Sequence, residues 1–97
     1  MKPNEMVAEK IHSLFARKKA RDLYDLFFLL RLSNFDCKLV ETKLKIFQIK
    51  FSLSRLKKAI NNLESVWEPE LKPFMLSEIP SFAIVRDFVL SRITKHI

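Results

Sequence analysis

The chain has 97 residues, 48 % of them hydrophobic and nine of them Phe, which is enough to fill one core and too apolar for a disordered segment. Its 18 Lys and Arg outnumber its 11 Asp and Glu, and a net charge of +7 is compatible with nucleic acid or phosphate ligands. Glycine is absent, which excludes a Walker A loop and a dinucleotide-binding fingerprint and disfavours tight β-hairpins. We therefore predict one all-α domain over residues 1–97, a compact bundle of about five helices.

The compartment is predicted from cysteine use and hydropathy. The single Cys37 cannot form an intramolecular disulfide. No stretch approaches the roughly 20 apolar residues of a membrane span, and no apolar run follows the start of the chain. These features predict a soluble, cytoplasmic protein with no membrane association.

The first predicted helix begins after Asn4, a favourable N-cap, with Pro3 just before it. Helical spacing places Lys10 and Arg17 two turns apart on a face away from the apolar residues. Those apolar residues are Val7, Ile11, Leu14 and Phe15.

The second predicted helix covers about residues 20–32. Asp22 and Asp25 share one of its faces because they are three residues apart, and both lie near its start, where the helix dipole favours negative charge. Its buried stripe is predicted to consist of Leu23, Leu26, Phe27 and Leu30.

The remaining helices are predicted from apolar spacing and from proline. A third helix covers about residues 37–49, and Ser52 caps a fourth that ends at Glu68-Pro69, because the residue before Pro disfavours the α region. Residues 69–80 hold three prolines and are predicted to be irregular, and a last helix runs from Pro80-Ser81 to about Lys95. The fourth helix carries a packing seam of Leu53, Leu56, Ile60, Leu63 and Trp67, and the last a stripe of Phe82, Val85, Val89 and Ile93.

Seven charged residues lie close together at the first two helices. One interpretation is structural: the aspartates cap the second helix and pair with basic neighbours. The other is a phosphate and metal site, in which Lys and Arg hold a polyphosphate while carboxylates bind Mg²⁺ or orient an acceptor hydroxyl. Spacing alone does not distinguish them. The seven residues are Lys10, Arg17, Lys18, Lys19, Arg21, Asp22 and Asp25.

The literal sequence favours the second interpretation. The strings EKIHSLFAR (9–17) and KKARDLYDLFFLL (18–30) resemble the late motifs of the AbiEii-type nucleotidyltransferases, a Glu-Lys pair followed by an Arg and then by Arg-Asp-x-x-Asp-Leu. The resemblance implies a helical C-terminal region that covers the active site. It implies cofactor-binding roles for Lys10, Arg17 and Arg21 and catalytic roles for Asp22 and Asp25. Weaker matches to the family's helical tail are Leu56, Leu63, Trp67, Leu71, Pro80 and Phe82.

The family's N-terminal half carries a Gly-Ser motif and a paired-aspartate motif, which bind the triphosphate and the catalytic metal. This chain has no Gly and no Asp-x-Asp, and none of its own residues is predicted to bind metal. The resemblance therefore implies an accessory helical half, of toxin–antitoxin or phage-defence type, that is inactive alone. Mg²⁺ and a nucleoside triphosphate would enter when a catalytic half completes the site, and the implied partners are a nucleotidyltransferase-core polypeptide or an antitoxin.

Two alternatives come from other functional classes. The first is a basic helical module that binds RNA or a protein partner through Lys18, Lys19 and Arg21. The second is a structural homodimer that buries surplus apolar surface, for example along the seam between Leu53 and Trp67. A lone histidine such as His12 is a poor metal ligand.

Overall fold

The computed structural model describes residues 2–96, so the two ends of the predicted 1–97 domain lie outside the described residues. Five helices have nine or more residues, and α5 is a five-residue helix between two 3₁₀ turns, Glu64–Val66 and Lys72–Phe74. Residues 2–96 contain no strand, which confirms the all-α prediction of about five helices. The helices are α1 Pro3–Ala16, α2 Ala20–Leu32, α3 Cys37–Ile46, α4 Leu53–Asn61, α5 Trp67–Leu71 and α6 Phe82–Lys95.

Helix α1 lies at the centre of the packing. It contacts α2, α3 and α4, while α2 also packs against α5 and α6, and α4 against α6. The buried apolar residues form one contiguous cluster to which every α-helix contributes, so the predicted stripes of the second and last helices both face it. None of the helices within residues 2–96 has the length and apolar character needed to cross a bilayer.

The first helix begins earlier than predicted. Lys2 occupies the N-cap position and Pro3 is the first helical residue, so the predicted N-cap at Asn4 is wrong. Pro is well suited to this position because its φ is already helical and it has no N–H to leave unpaired. The Glu5 carboxylate accepts from the backbone N–H of Lys2 at 3.4 Å, which closes one side of a capping box.

The third helix ends at Ile46, three residues before the predicted end. Gln48 adopts the left-handed conformation, with φ of 59°. The backbone N–H of Gln48 donates to the Lys45 carbonyl at 3.0 Å, and that of Ile49 to the Leu44 carbonyl at 2.9 Å. This is a Schellman termination, which normally uses Gly. Because the chain has no glycine, the usual sequence signal for this end is missing.

The predicted fourth helix is divided. Helix α4 ends at Asn61, and α5 contains Pro69 as its third residue, so the predicted end at Glu68-Pro69 is wrong. Asn61 and Asn62 disfavour continuation because their side chains compete for backbone hydrogen bonds. Pro69 is accommodated because the first four N–H groups of a helix have no partner within it.

The seam from Leu53 to Trp67 packs inside the chain despite this division. Leu53 is half-buried against the core, and the other four members are buried in it. The seam is therefore not available as a dimer interface, and the homodimer itself stays a prediction. Helix α6 follows the irregular residues 75–81 with Ser81 as its N-cap, and its four predicted stripe residues are all buried.

Candidate functional site

The charged residues meet where α1 gives way to α2. Only residues 17–19 separate the two helices, and Lys18 takes a left-handed conformation with φ of 55° in that turn. A non-glycine residue in this region is uncommon, and here it redirects the chain so that α2 packs against α1. The turn thereby brings the end of one charged sequence motif against the start of the next.

Four of the five predicted site residues form one charged cluster, which we define as Lys10, Arg17, Asp22 and Asp25. Arg17 Nη2 donates to Asp22 Oδ1 at 2.7 Å, and Lys10 Nζ lies 3.8 Å from the same oxygen. Lys10 Nζ also lies 2.9 Å from Asp25 Oδ2. Lys10 of α1 and Arg17, directly after its end, thus each contact a carboxylate of α2, as the spacing of the four residues predicted.

Burial differs sharply within the charged cluster. The side chain of Asp22 is 0 % exposed, whereas those of Lys10, Asp25 and Arg17 are 29 %, 35 % and 61 % exposed. The cluster therefore has a buried carboxylate at its base and cations that reach water. The hydrogen bond from Arg17 to Asp22 raises the pKa of the guanidinium, and the charge of Asp22 adds to this effect. Desolvation lowers the pKa, and the charge of Asp25 raises it by less than either effect of Asp22.

The second oxygen of Asp22 is the unusual feature of this site. Asp22 Oδ2 is buried and has no hydrogen-bond partner among the described residues. Buried polar atoms in folded proteins nearly always have a partner, and an unpaired one is costly. Arg17 and Lys10 balance the charge of the carboxylate through the other oxygen only, so Oδ2 remains an acceptor without a donor.

The predicted helix cap is not made by the aspartates. Lys19 occupies the N-cap position of α2 and provides no side-chain bond. Instead Glu70 of α5 accepts from the backbone N–H of Ala20 through Oε1 at 2.8 Å. A carboxylate at this position also interacts favourably with the positive end of the helix dipole. Glu70 lies 50 residues away in sequence, so no local pattern could have identified it.

Arg21 is the fifth predicted site residue, and it takes no part in the ion pairs of the charged cluster. Its guanidinium carbon is 5.1 Å from the centroid of the Phe74 ring, a cation–π geometry. A pocket of about 330 Å³ opens beside it. The lining residues are Arg17, Lys19, Arg21, Glu70 and Phe74.

Neighbouring side chains of the motif have structural partners. Glu9, the first residue of the Glu-Lys pair, forms an ion pair with Lys43 of α3. His12 stacks on Phe47, with ring centroids 3.9 Å apart and planes inclined by 18°. These contacts join α1 to α3 and leave Lys10 as the member of the pair that faces α2.

The donor set does not suit a metal ion on its own. Within residues 2–96 no group of three or more His, Cys, Asp and Glu side chains is arranged to hold one. Asp22 Oδ1 and Asp25 Oδ2 are each bonded to a cation of the protein, which would compete with Mg²⁺ for the same lone pairs. Any metal at this site would need ligands from outside these residues.

The fold and the site define an all-α protein in which cations and carboxylates from two consecutive helices and the turn between them form one charged cluster. A family model described as "Nucleotidyl transferase AbiEii toxin, Type IV TA system" matches residues 1–87, and the chain therefore belongs to this family. This confirms the resemblance seen in the motifs and makes the protein a toxin-like, nucleotidyltransferase-related one. No curated protein and no solved structure shows significant similarity to the chain.

Proposed function

We propose that this chain is the helical part of a toxin-like nucleotidyltransferase and that it holds the phosphates of a nucleoside triphosphate beside a catalytic core. The observation that carries the proposal is the convergence of Lys10 and Arg17 on the buried carboxylate of Asp22. The family membership supports the reaction class. The core, with its own phosphate and metal ligands, belongs either to a separate polypeptide or to another part of the same protein.

The cations are suited to phosphate because they are positioned yet accessible. Arg17 is mostly exposed and fixed at one end by Asp22, so it can offer its remaining N–H donors to a phosphate without losing that bond. The two motifs and the turn between them carry five cations (Lys10, Arg17, Lys18, Lys19 and Arg21) and two carboxylates (Asp22 and Asp25). With Glu70, which accepts from the start of α2, the region has a formal charge of +2. This excess favours an anionic ligand.

The two aspartates take different roles in this proposal. Asp22 is completely buried, so it acts through Lys10 and Arg17 by fixing where their charges lie. Asp25 is partly exposed and is the carboxylate that a substrate can touch once Lys10 turns toward the phosphates. Catalytic participation of either residue remains a prediction.

The chemistry of the reaction is nucleotidyl transfer, in which an acceptor oxygen attacks the α-phosphate and pyrophosphate leaves. Charge on the phosphate oxygens is stabilised by fixed cations already in place, which is the contribution proposed for Lys10 and Arg17. Mg²⁺ would supply further charge stabilisation with ligands from the core, because the aspartates of this chain are bonded to its own cations. An antitoxin is a further proposed partner, on the basis of the family's Type IV toxin–antitoxin assignment.

The proposal is tested by titrating the chain with nucleoside triphosphates and following amide chemical shifts by NMR. We expect weak binding, with shifts centred on residues 10–25. Lys10→Ala and Arg17→Ala should each raise the Kd about tenfold, the effect of losing one charge-assisted contact. The exposed Lys57 of α4 provides a matched control, and Lys57→Ala should leave the Kd unchanged. Equal losses in all three variants would show a diffuse charge effect and contradict the proposal.

The RNA-binding alternative is favoured by one observation, the exposure of Lys18 and Lys19 in the turn between α1 and α2 and of Arg21 at the start of α2. It predicts binding that weakens steeply with salt and depends on these three residues but not on Asp22. Short single-stranded RNA titrated at two salt concentrations separates the alternatives. Binding that survives Asp22→Ala unchanged supports a basic module over a nucleotide site.

A further inference from the structure

Phe74 is a large aromatic side chain that the core does not use. It is 65 % exposed, although most of the other phenylalanines are buried or packed against the core. It is the last residue of the 3₁₀ turn Lys72–Phe74, directly after Pro73, and the Met75 N–H closes that turn on the Lys72 carbonyl. Because proline fixes φ, the ring is presented on a restricted backbone and not on a freely moving loop.

The surroundings of the Phe74 ring are cationic. Arg21 lies over the ring, and Arg17 and Lys19 complete the basic wall of the same 330 Å³ pocket. An apolar ligand would contact the ring but desolvate four charged side chains, the three cations and Glu70. A bare phosphate would contact the cations but leave the ring unused. A ligand with a planar π-system at one end and negative charge at the other matches both features.

Arg17 connects this pocket to the charged cluster. It lines the pocket and at the same time donates to Asp22, so the phosphate-facing cations and the exposed ring share one side chain. Glu70 also belongs to both regions, because it lines the pocket while its Oε1 accepts from the Ala20 N–H at the start of α2. These two contacts fix the pocket relative to the cluster.

We propose that the pocket beside Phe74 is the base subsite of the nucleotide site, with the nucleobase stacked on the Phe74 ring and the phosphates extending past Arg17 toward Lys10. This inference rests on the proposed function and adds the orientation of the nucleotide. It makes Phe74 a binding residue that neither the motifs nor the family description assigns. Because stacking is available to every base, the subsite favours nucleotides over other polyphosphates without selecting one base.

The experiment compares two kinds of ligand that differ by the presence of a nucleoside. ATP, GTP, CTP and UTP carry the triphosphate with a base, and inorganic tripolyphosphate carries a similar charge without one. For the wild-type chain we expect each nucleotide to bind at least about fivefold more tightly than tripolyphosphate, as one stacked base predicts. Phe74→Ala should remove that preference while leaving the Kd for tripolyphosphate unchanged, and Phe74→Trp should restore it.

The control is Phe47→Ala. This substitution removes another exposed aromatic ring, which lies directly after α3 and outside the pocket. It should leave the preference intact. Unchanged preference in Phe74→Ala, or equal weakening of nucleotide and tripolyphosphate, overturns the base subsite. Failure of the proposed function gives a different result: tripolyphosphate then either does not bind the wild-type chain or binds it independently of Lys10 and Arg17.

Discussion

Residues 3–32 and residues 53–71 have similar helical spacing of apolar residues. The helix bounds predicted from that spacing agree well with the structure in the first region and poorly in the second. In the first region, α2 has the predicted bounds and α1 begins within two residues of its predicted start. In the second, one predicted helix is two helices separated by a 3₁₀ turn. Most of the apolar residues that the spacing predicted for the core are nevertheless buried, while Phe15, Phe27 and Leu53 are only partly buried. Apolar spacing thus specifies which side chains enter the core more reliably than it specifies the backbone that delivers them.

The two regions also differ in the polar contacts that hold them. The first depends on charged side chains close in sequence, with Arg17 and Asp22 five residues apart. The second depends on contacts with distant backbone, the Trp67 Nε1–H to the Pro80 carbonyl at 2.8 Å and Glu70 to the Ala20 N–H. Substitutions in each region test whether this difference has energetic consequences.

The largest effect is expected for Trp67→Ala. Trp67 is buried and packs edge-to-face against Phe82 and Tyr24, so its loss should lower the free energy of unfolding by about 3–5 kcal/mol. Trp67→Phe keeps most of the volume but loses the hydrogen bond to Pro80, and should cost about 1 kcal/mol from that bond. Urea denaturation followed by circular dichroism measures both. The exposed Phe74→Ala is the control and should change stability by less than about 0.5 kcal/mol.

A smaller loss is expected for Asp22→Ala, about 1–3 kcal/mol, because it removes a buried acceptor from Arg17 and Lys10. Asp87→Ala is the matched control: Asp87 pairs with Arg86 at 2.9 Å but is exposed, so its loss should cost well under about 1 kcal/mol. Equal effects in the same denaturation assay would show that burial of Asp22 has no energetic consequence and that the charged cluster behaves as a surface ion pair.

Glu70→Gln should cost about 1 kcal/mol, since it weakens the charged hydrogen bond that joins α5 to the start of α2. The exposed Glu68, two residues earlier on the same short helix, gives the control Glu68→Gln with an expected change near zero. Hydrogen exchange of the Ala20 amide reports the bond directly. Exchange that is no faster in Glu70→Gln than in Glu68→Gln would contradict the proposed link between the two regions.

The smallest effect concerns Cys37, whose pKa is raised, first by its hydrogen bond to Glu41 and then by burial and by the Glu41 charge. The fold thus favours the neutral thiol. The resulting stability is fully present below the pKa of the unfolded thiol and is lost as the pH rises through the folded pKa, in the alkaline range. At pH 8, alkylation of Cys37 should be slower than that of a free model thiol and faster in Glu41→Gln. Reaction at the rate of the model thiol would contradict the shift.

The sequence by itself determined the helical class, the buried stripes and the composition of the charged cluster. Absent glycine and helical apolar spacing favour helices through local backbone preference, and residues such as Lys10, Arg17, Asp22 and Asp25 lie on predictable faces of adjacent helices. Their motif also indicated the family, which the match of the family model to residues 1–87 confirms. These properties depend on interactions close in sequence, which a local pattern contains.

Only the tertiary structure decided two kinds of feature, the helix bounds that lack their usual sequence signal and the contacts between residues distant in the chain. The Schellman end at Gln48 and the position of Pro69 inside α5 both lack the sequence signals that normally mark them. The cap from Glu70 and the exposed ring of Phe74 reach the start of α2 from more than 45 residues away. Which side chains converge on Arg17 and Arg21 is set by how α5 packs against α2, and packing of that kind is not contained in either segment alone.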